Sequence, residues 1–303
     1  MRVKWLASLF SAGIILLSAT GASLSEVQPE QLNFAGEMRS YWVYTPAGLD
    51  AAKPVPVLLV LHGSAGNGED MMAVTQHGFE KIADREKMFV VYPNALQRRW
   101  NEQGGTVDDA GFLLAIVDKL AAKGPVDRSR IYIAGISSGG MMAQRMACEK
   151  AERVAAIAAV AGTMPSGMKA DCKPARPVPV LIIHGTEDPI VPWIGGAVAG
   201  FEEYGAVLSA RENAAFWASA NQCRGTALIV PEPDRDLRDG TRVQVEYFAA
   251  CAADTGVTLV EVQGGGHTWP GGFQYLPERF IGKTSKDIDA NRMIWDFFKG
   301  RKD

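Results

Sequence analysis

Two hydrophobic rhythms take turns along the chain. Short unbroken apolar runs occupy 55–61 (VPVLLVL), 88–93 (MFVVYP), 130–135 (RIYIAG), 154–162 (VAAIAAVAG) and 179–185 (PVLIIHG). Runs of this length, rich in Val and Ile, suit strands covered on both faces. Between them apolar residues return every three or four positions. In 108–123, Phe112, Ile116 and Leu120 share a helical face with Leu113 and Val117, and Asp108 and Asp109 open the segment. Negative charge favours a helix N-terminus. The same spacing predicts helices over 69–86, 138–149, 210–220 and 286–299. Segment 39–46 (RSYWVYTP) alternates like a strand, and 243–249 and 257–262 read as late strands. Strands and helices in turn predict an α/β fold: a single doubly wound, mainly parallel sheet with helices on both faces. Sites in such sheets form beyond the carboxyl ends of strands.

The chain has 303 residues, 47% of them apolar, enough for one large core. No linker-like stretch or repeat divides it, so 23–303 is expected to be one domain. Residues 1–22 read differently. Arg2 and Lys4 precede an apolar run over 5–17, and small residues follow in SATGAS. That is the order of a secretory signal peptide. The run is short for a membrane span, and no cysteine follows it to carry a lipid. A secreted or periplasmic protein without a stable membrane anchor is expected. The formal net charge is −3, more negative without Arg2 and Lys4, and no basic stripe offers a nucleic-acid surface.

All four cysteines lie beyond the leader: Cys148, Cys172, Cys223 and Cys251. An even count in an exported chain predicts two disulfides. Of the three possible pairings, Cys148–Cys172 and Cys223–Cys251 each close a short loop and are the expected ones. No two cysteines have metal-ligand spacing, so no metal site is expected.

Three strand ends carry candidate chemistry. The stretch IYIAGISSGG places Ser137 between Gly135 and Gly139, after a strand pattern and before a helix pattern. A sharp strand–helix turn exposes a hydroxyl and needs small neighbours. Ordinary composition yields such a pattern in about one chain in five of this length, so the flanking elements carry the inference. The second strand end is His184-Gly185-Thr186-Glu187-Asp188-Pro189. Either acid could orient a histidine; Asp188 is favoured because Pro189 stiffens the loop after it. The third is GGGHTWPGG, which holds His267 on a glycine-rich loop. Of the other histidines, His62 and His184 end strands where they can simply pack, and His77 falls in a predicted helix. The order Ser137, Asp188, His267 is the nucleophile–acid–base order of α/β-hydrolases. A fourth strand end, LHGSAG, can aim a backbone N–H into the site from Ser64 or Ala65, opposite the N–H of Ser138.

Together LHGSAGN, GISSGGMM, HGTEDPIVP and GGGHTWPGG resemble the polyhydroxybutyrate depolymerase-like esterases, a group that includes secreted feruloyl and acetylxylan esterases. The resemblance implies an α/β-hydrolase fold, a triad of Ser137, Asp188 and His267, and an oxyanion hole near Ser64 and Ser138. RRWN and VDDAGF also look like family positions. Trp100 is a candidate wall of the substrate cleft, and Trp269 a candidate frame for the histidine or the acyl pocket. Polymer-degrading relatives often carry a separate binding domain that is not seen before Asp303, so a soluble or oligomeric ester is the expected substrate. That means a hydroxycinnamoyl or acetyl ester of plant carbohydrate, or a short hydroxyalkanoate ester. The implied reaction is acyl transfer through an acyl-enzyme, without cofactor. The alternatives are polyhydroxybutyrate depolymerisation, a peptidase or acyltransferase on the same frame, and a catalytically silent carbohydrate-binding protein.

Overall fold

The computed structural model describes residues 25–201 and 205–300; the expected leader, 1–22, lies outside them. In chain order the elements are β1 (Glu26–Phe34), β2 (Glu37–Thr45), β3 (Val55–Leu61), α1 (Gly68–Val74), α2 (Gly78–Glu86), β4 (Phe89–Pro93), α3 (Asp109–Lys123), β5 (Val126–Ile136), α4 (Ser138–Glu149) and β6 (Ala156–Val160). Then come β7 (Val180–Gly185), β8 (Gly196–Ala197), β9 (Ala206–Val207), α5 (Ala210–Ala220), β10 (Leu228–Pro231), β11 (Arg242–Phe248), β12 (Val257–Gln263), α6 (Glu278–Ile281) and α7 (Ala290–Lys299).

Ten strands form one sheet in the order β1-β2-β4-β3-β5-β6-β7-β12-β11-β10. The six central strands, β4 to β12 in that order, run parallel. Their apolar runs predict this, because parallel strands are covered on both faces. Leu59 pairs with Ile133, Ile133 with Ile157, and Ile157 with Val180. These residues cluster with Phe112 and Ile116 of α3, Met142 and Met146 of α4, and Trp217 of α5. On the other face Leu58, Val60, Leu181 and Ile183 cluster with Phe79 and Ile82 of α2 and with Ile294, Trp295 and Phe298 of α7. Full burial of each Leu, Ile or Phe contributes about 1.5–3 kcal/mol, so the two faces hold the layers together. Cys148 is bonded to Cys172 and Cys223 to Cys251, the two local pairings.

The helix expected over 69–86 is two helices. Gln76 and His77 both take positive φ, and the Thr75 hydroxyl donates back to the Met71 and Met72 carbonyls. His77 therefore precedes α2 rather than sitting inside a helix. The break lets α7 come close: a Cβ on Gly78 would lie 2.4 Å from the Asn291 side-chain nitrogen. The outer strands differ from the central ones. β1 is polar and half exposed, and it joins antiparallel to β2. β10 is a four-residue edge strand ending in Pro231, where a missing N–H is tolerated. The closing helix starts at Ala290, not 286, because the Asp289 carboxylate caps it, accepting from the Asn291 and Arg292 N–H groups. Among the described residues no helix is long and apolar enough to cross a membrane.

Candidate active site

Ser137 sits between β5 and α4 with φ 55° and ψ −126°, a conformation non-glycine residues rarely hold. Strain of this kind persists only where surroundings enforce it. Here the Ser137 N–H donates to Val160 O at 2.9 Å, and its carbonyl accepts from the Met141 N–H at 3.0 Å. The turn has no room for a side chain at Gly135, whose Cβ would lie 2.4 Å from the Gly139 carbonyl carbon.

The loop after β7 carries Asp188, which is buried, while Glu187 beside it is exposed. Asp188 Oδ1 accepts from the Ile190 and Val191 N–H groups, both at 2.8 Å. Its Oδ2 accepts from His267 Nδ1, also at 2.8 Å. The choice between the adjacent acids falls to Asp188 because its loop curls back and donates to it. His184 lies under this pair, fully buried. Its Nε2 donates to Val191 O at 2.8 Å and stands 3.5 Å from Asp188 Oδ2. Burial pushes the His184 pKa down, against the pull of Asp188. It serves here as a neutral support for the acid's loop.

His267 is held from three sides. Its N–H donates to Ile281 O at 2.5 Å, its carbonyl accepts from the Tyr275 hydroxyl at 2.7 Å, and its ring meets Asp188. Burial and the nearby Asp188 charge push the Tyr275 pKa up, so the phenol stays a donor. Ser137 and His267 line one cavity of about 590 Å³, with Met71, Val74, Phe273, Tyr275, Leu276 and Ile281. No hydrogen bond joins the Ser137 hydroxyl to the His267 ring in this structure. Catalytic hydrogen bonds are often long before substrate binds.

A second cavity, about 430 Å³, adjoins the first at Ser137. Trp100, Asn101, Glu102, Gln103 and Met141 line it, with Ser137 and Ser138. Ser64 and Ile190 belong to both cavities, as Ser137 does. The loop that carries it presses on the serine: a Cβ on Gly63 would lie 3.3 Å from Ser137 Cβ. The Ala65 N–H donates to Arg98 O at 2.9 Å and the Gly66 N–H to Gly63 O at 3.0 Å, so Ala65 is spent and the Ser64 N–H remains a candidate donor. Ser138 opens α4, where the first N–H groups have no intrahelical partner.

Of the two tryptophans expected at the cleft, Trp100 lines the second cavity, its Nε1–H donating to His62 O at 2.8 Å. Trp269 does not. It is fully buried, lines neither cavity, and its Nε1–H donates to Asn291 Oδ1 at 3.1 Å, against the Phe79 ring. The expectation that it frames the histidine or the acyl pocket is corrected: Trp269 ties the histidine loop to α7. His62, which the reading left as a packing residue, is buried, with Nδ1 donating to Gly63 O and Nε2 accepting from the Ala95 N–H.

Comparison with known proteins bears on this geometry. Residues 90–200 match the phospholipase/carboxylesterase family model. The chain is 32% identical over 282 residues to "Putative esterase NocK" of Nocardia uniformis subsp. tsuyamanensis, spanning 88% of this chain and 80% of that one. It is 29% identical over 240 residues to Feruloyl esterase B of Piromyces equi, covering 76% of this chain but only 42% of the relative. Among solved structures, the acetyl xylan esterase from Aspergillus awamori aligns over 80% of this chain and 94% of its own, with a TM-score of 0.55 at 15% identity. That last likeness shows the fold. The chain belongs to the esterases of the α/β-hydrolase fold and is a carboxylic ester hydrolase.

Proposed function

We propose that Ser137 is the nucleophile, His267 the general base and acid, and Asp188 the carboxylate that orients it. One observation carries this reading: the 2.8 Å bond from His267 Nδ1 to Asp188 Oδ2, at a cavity that also holds the strained Ser137. With Nδ1 donating to the acid, Nε2 is the free ring nitrogen. His267 takes the Ser137 proton as the oxygen attacks the ester carbonyl. The N–H groups of Ser64 and Ser138 hold the oxyanion; losing one such donor typically costs about 3 kcal/mol. The alcohol leaves with the proton from His267, and an acyl group stays on Ser137. Water, deprotonated by His267, then releases the acid.

The substrates proposed are hydroxycinnamoyl or acetyl esters of plant carbohydrate, or short hydroxyalkanoate esters. The relatives named feruloyl and acetylxylan esterases support this. Export through a leader cleaved near residue 22 is part of the same reading, supported by the charged, apolar and small-residue segments and by two disulfides. Initial rates on methyl ferulate, acetylated xylan and polyhydroxybutyrate, measured in parallel, test the substrate class. Turnover of either of the first two above the polymer supports it; turnover confined to the polymer contradicts it.

A further inference from the structure

The two cavities at Ser137 differ in a way that assigns them. His267 lines the more apolar one and not the other, where Glu102 and Ser138 sit among Met141, Ile190 and Val198. The imidazolium must hand its proton to the departing alcohol, so the alcohol leaves on the His267 side. The acyl group then points into the cavity that Glu102 and Ser138 line. Two side chains there call for a polar ligand. The Ser138 hydroxyl is buried and makes no hydrogen bond. The Glu102 carboxyl is half buried, with a bond from the Gln103 side chain, and an ionised carboxylate has about four acceptor positions.

The loop presenting Glu102 is clamped. The Asn101 N–H donates to Asp109 Oδ2 at 2.7 Å, and its carbonyl accepts from Arg145 Nη1 at 2.5 Å. Asp109 is itself fixed by Arg39 at 2.6 Å, both wholly buried. Trp100, on the same loop, is pinned to His62 O. Such anchoring is what a recognition group needs, because a mobile carboxyl loses selectivity to entropy.

We propose that Glu102 is a specificity-determining residue that accepts a hydrogen bond from a hydroxyl on the acyl group, in the cavity that the unpartnered Ser138 hydroxyl also lines. This rests on the acyl-enzyme reading at Ser137. Burial raises the Glu102 pKa, more than its own N–H bond lowers it, in keeping with a desolvated recognition group. An acetyl group reaches neither side chain with a donor, so hydroxylated acyl groups are the better substrates.

The test compares kcat/KM for two pairs of esters: methyl 4-hydroxycinnamate against methyl cinnamate, and ethyl 3-hydroxybutyrate against ethyl butyrate. Wild-type enzyme is expected to favour the hydroxylated member of at least one pair by about tenfold or more. Glu102→Leu should bring that ratio to about one, while Glu102→Gln, which keeps an acceptor oxygen, retains part of it. Should Glu102→Leu fail to fold, Glu102→Ala takes its place. Wild-type ratios near one for both pairs overturn the proposal, as does a preference that survives the Leu or Ala change. Fluorophosphonate labelling of the same wild-type preparation separates the two readings. Flat ratios with Ser137 labelled sink only the Glu102 role, whereas no labelling at Ser137 sinks the acyl-enzyme reading beneath it.

Discussion

His267 Nδ1 lies 2.8 Å from Asp188 Oδ2, and the same carboxylate takes two backbone N–H bonds at its other oxygen. One acid therefore orients the imidazole and closes its own loop. Asp188→Asn keeps the shape but presents an amide that no longer fixes the Nδ1–H tautomer. The kcat on 4-nitrophenyl acetate should fall by about four orders of magnitude with the melting temperature changed little. Asp188→Ala should lower both, since it strips the partners from the Ile190 and Val191 N–H groups.

The buried pair of Arg39 and Asp109 sits 2.6 Å apart behind the loop of Trp100 and Asn101. Asp109→Ala leaves a guanidinium buried without its counter-charge. Urea unfolding should show a loss of about 3–5 kcal/mol. The Asn101 N–H loses its acceptor as well, so KM should rise in whatever protein folds.

His62 and His184 are held neutral by burial, which lowers both pKa values. Their folded values lie below the unfolded one, so the unfolded chain binds more protons in that interval. Stability is full above about pH 6.5 and falls as pH drops below it. Melting temperatures from pH 8 to pH 5 should show this decline, and His62→Gln should shallow it by removing one of the two rings.

The Cys148–Cys172 bond closes a loop with a sequence separation of 24. Replacing both cysteines with serine should cost about 3 kcal/mol by the chain-entropy model, read as a lower melting temperature. Dithiothreitol should have less effect on the double variant than on the wild type.

Much of this architecture is written in local pattern. The central strands show because both faces are apolar, and Ser137, Asp188 and His267 show because each follows such a run. β1 does not, because it is polar and half exposed, and β10 does not, because its apolar run is only four residues long and ends in a proline. Tyr275 and His184 act through a backbone carbonyl and a loop, contacts visible only after folding. Glu102 lies in a polar stretch whose place at the cavity depends on Asp109 and Arg39, the latter 63 positions earlier by sequence number. Trp269 misleads for the opposite reason: its place next to the histidine loop suggests a cleft wall, yet the ring turns inward to Asn291.

The nucleophile assignment is tested most directly by mass spectrometry after treatment with a fluorophosphonate. The wild-type protein should gain one adduct, mapped to Ser137, and lose ester turnover in proportion. Ser137→Ala should fold, stay unlabelled and hydrolyse 4-nitrophenyl acetate at no more than background rate. An adduct elsewhere that tracks the loss of activity, or turnover by folded Ser137→Ala near the wild-type rate, would contradict it.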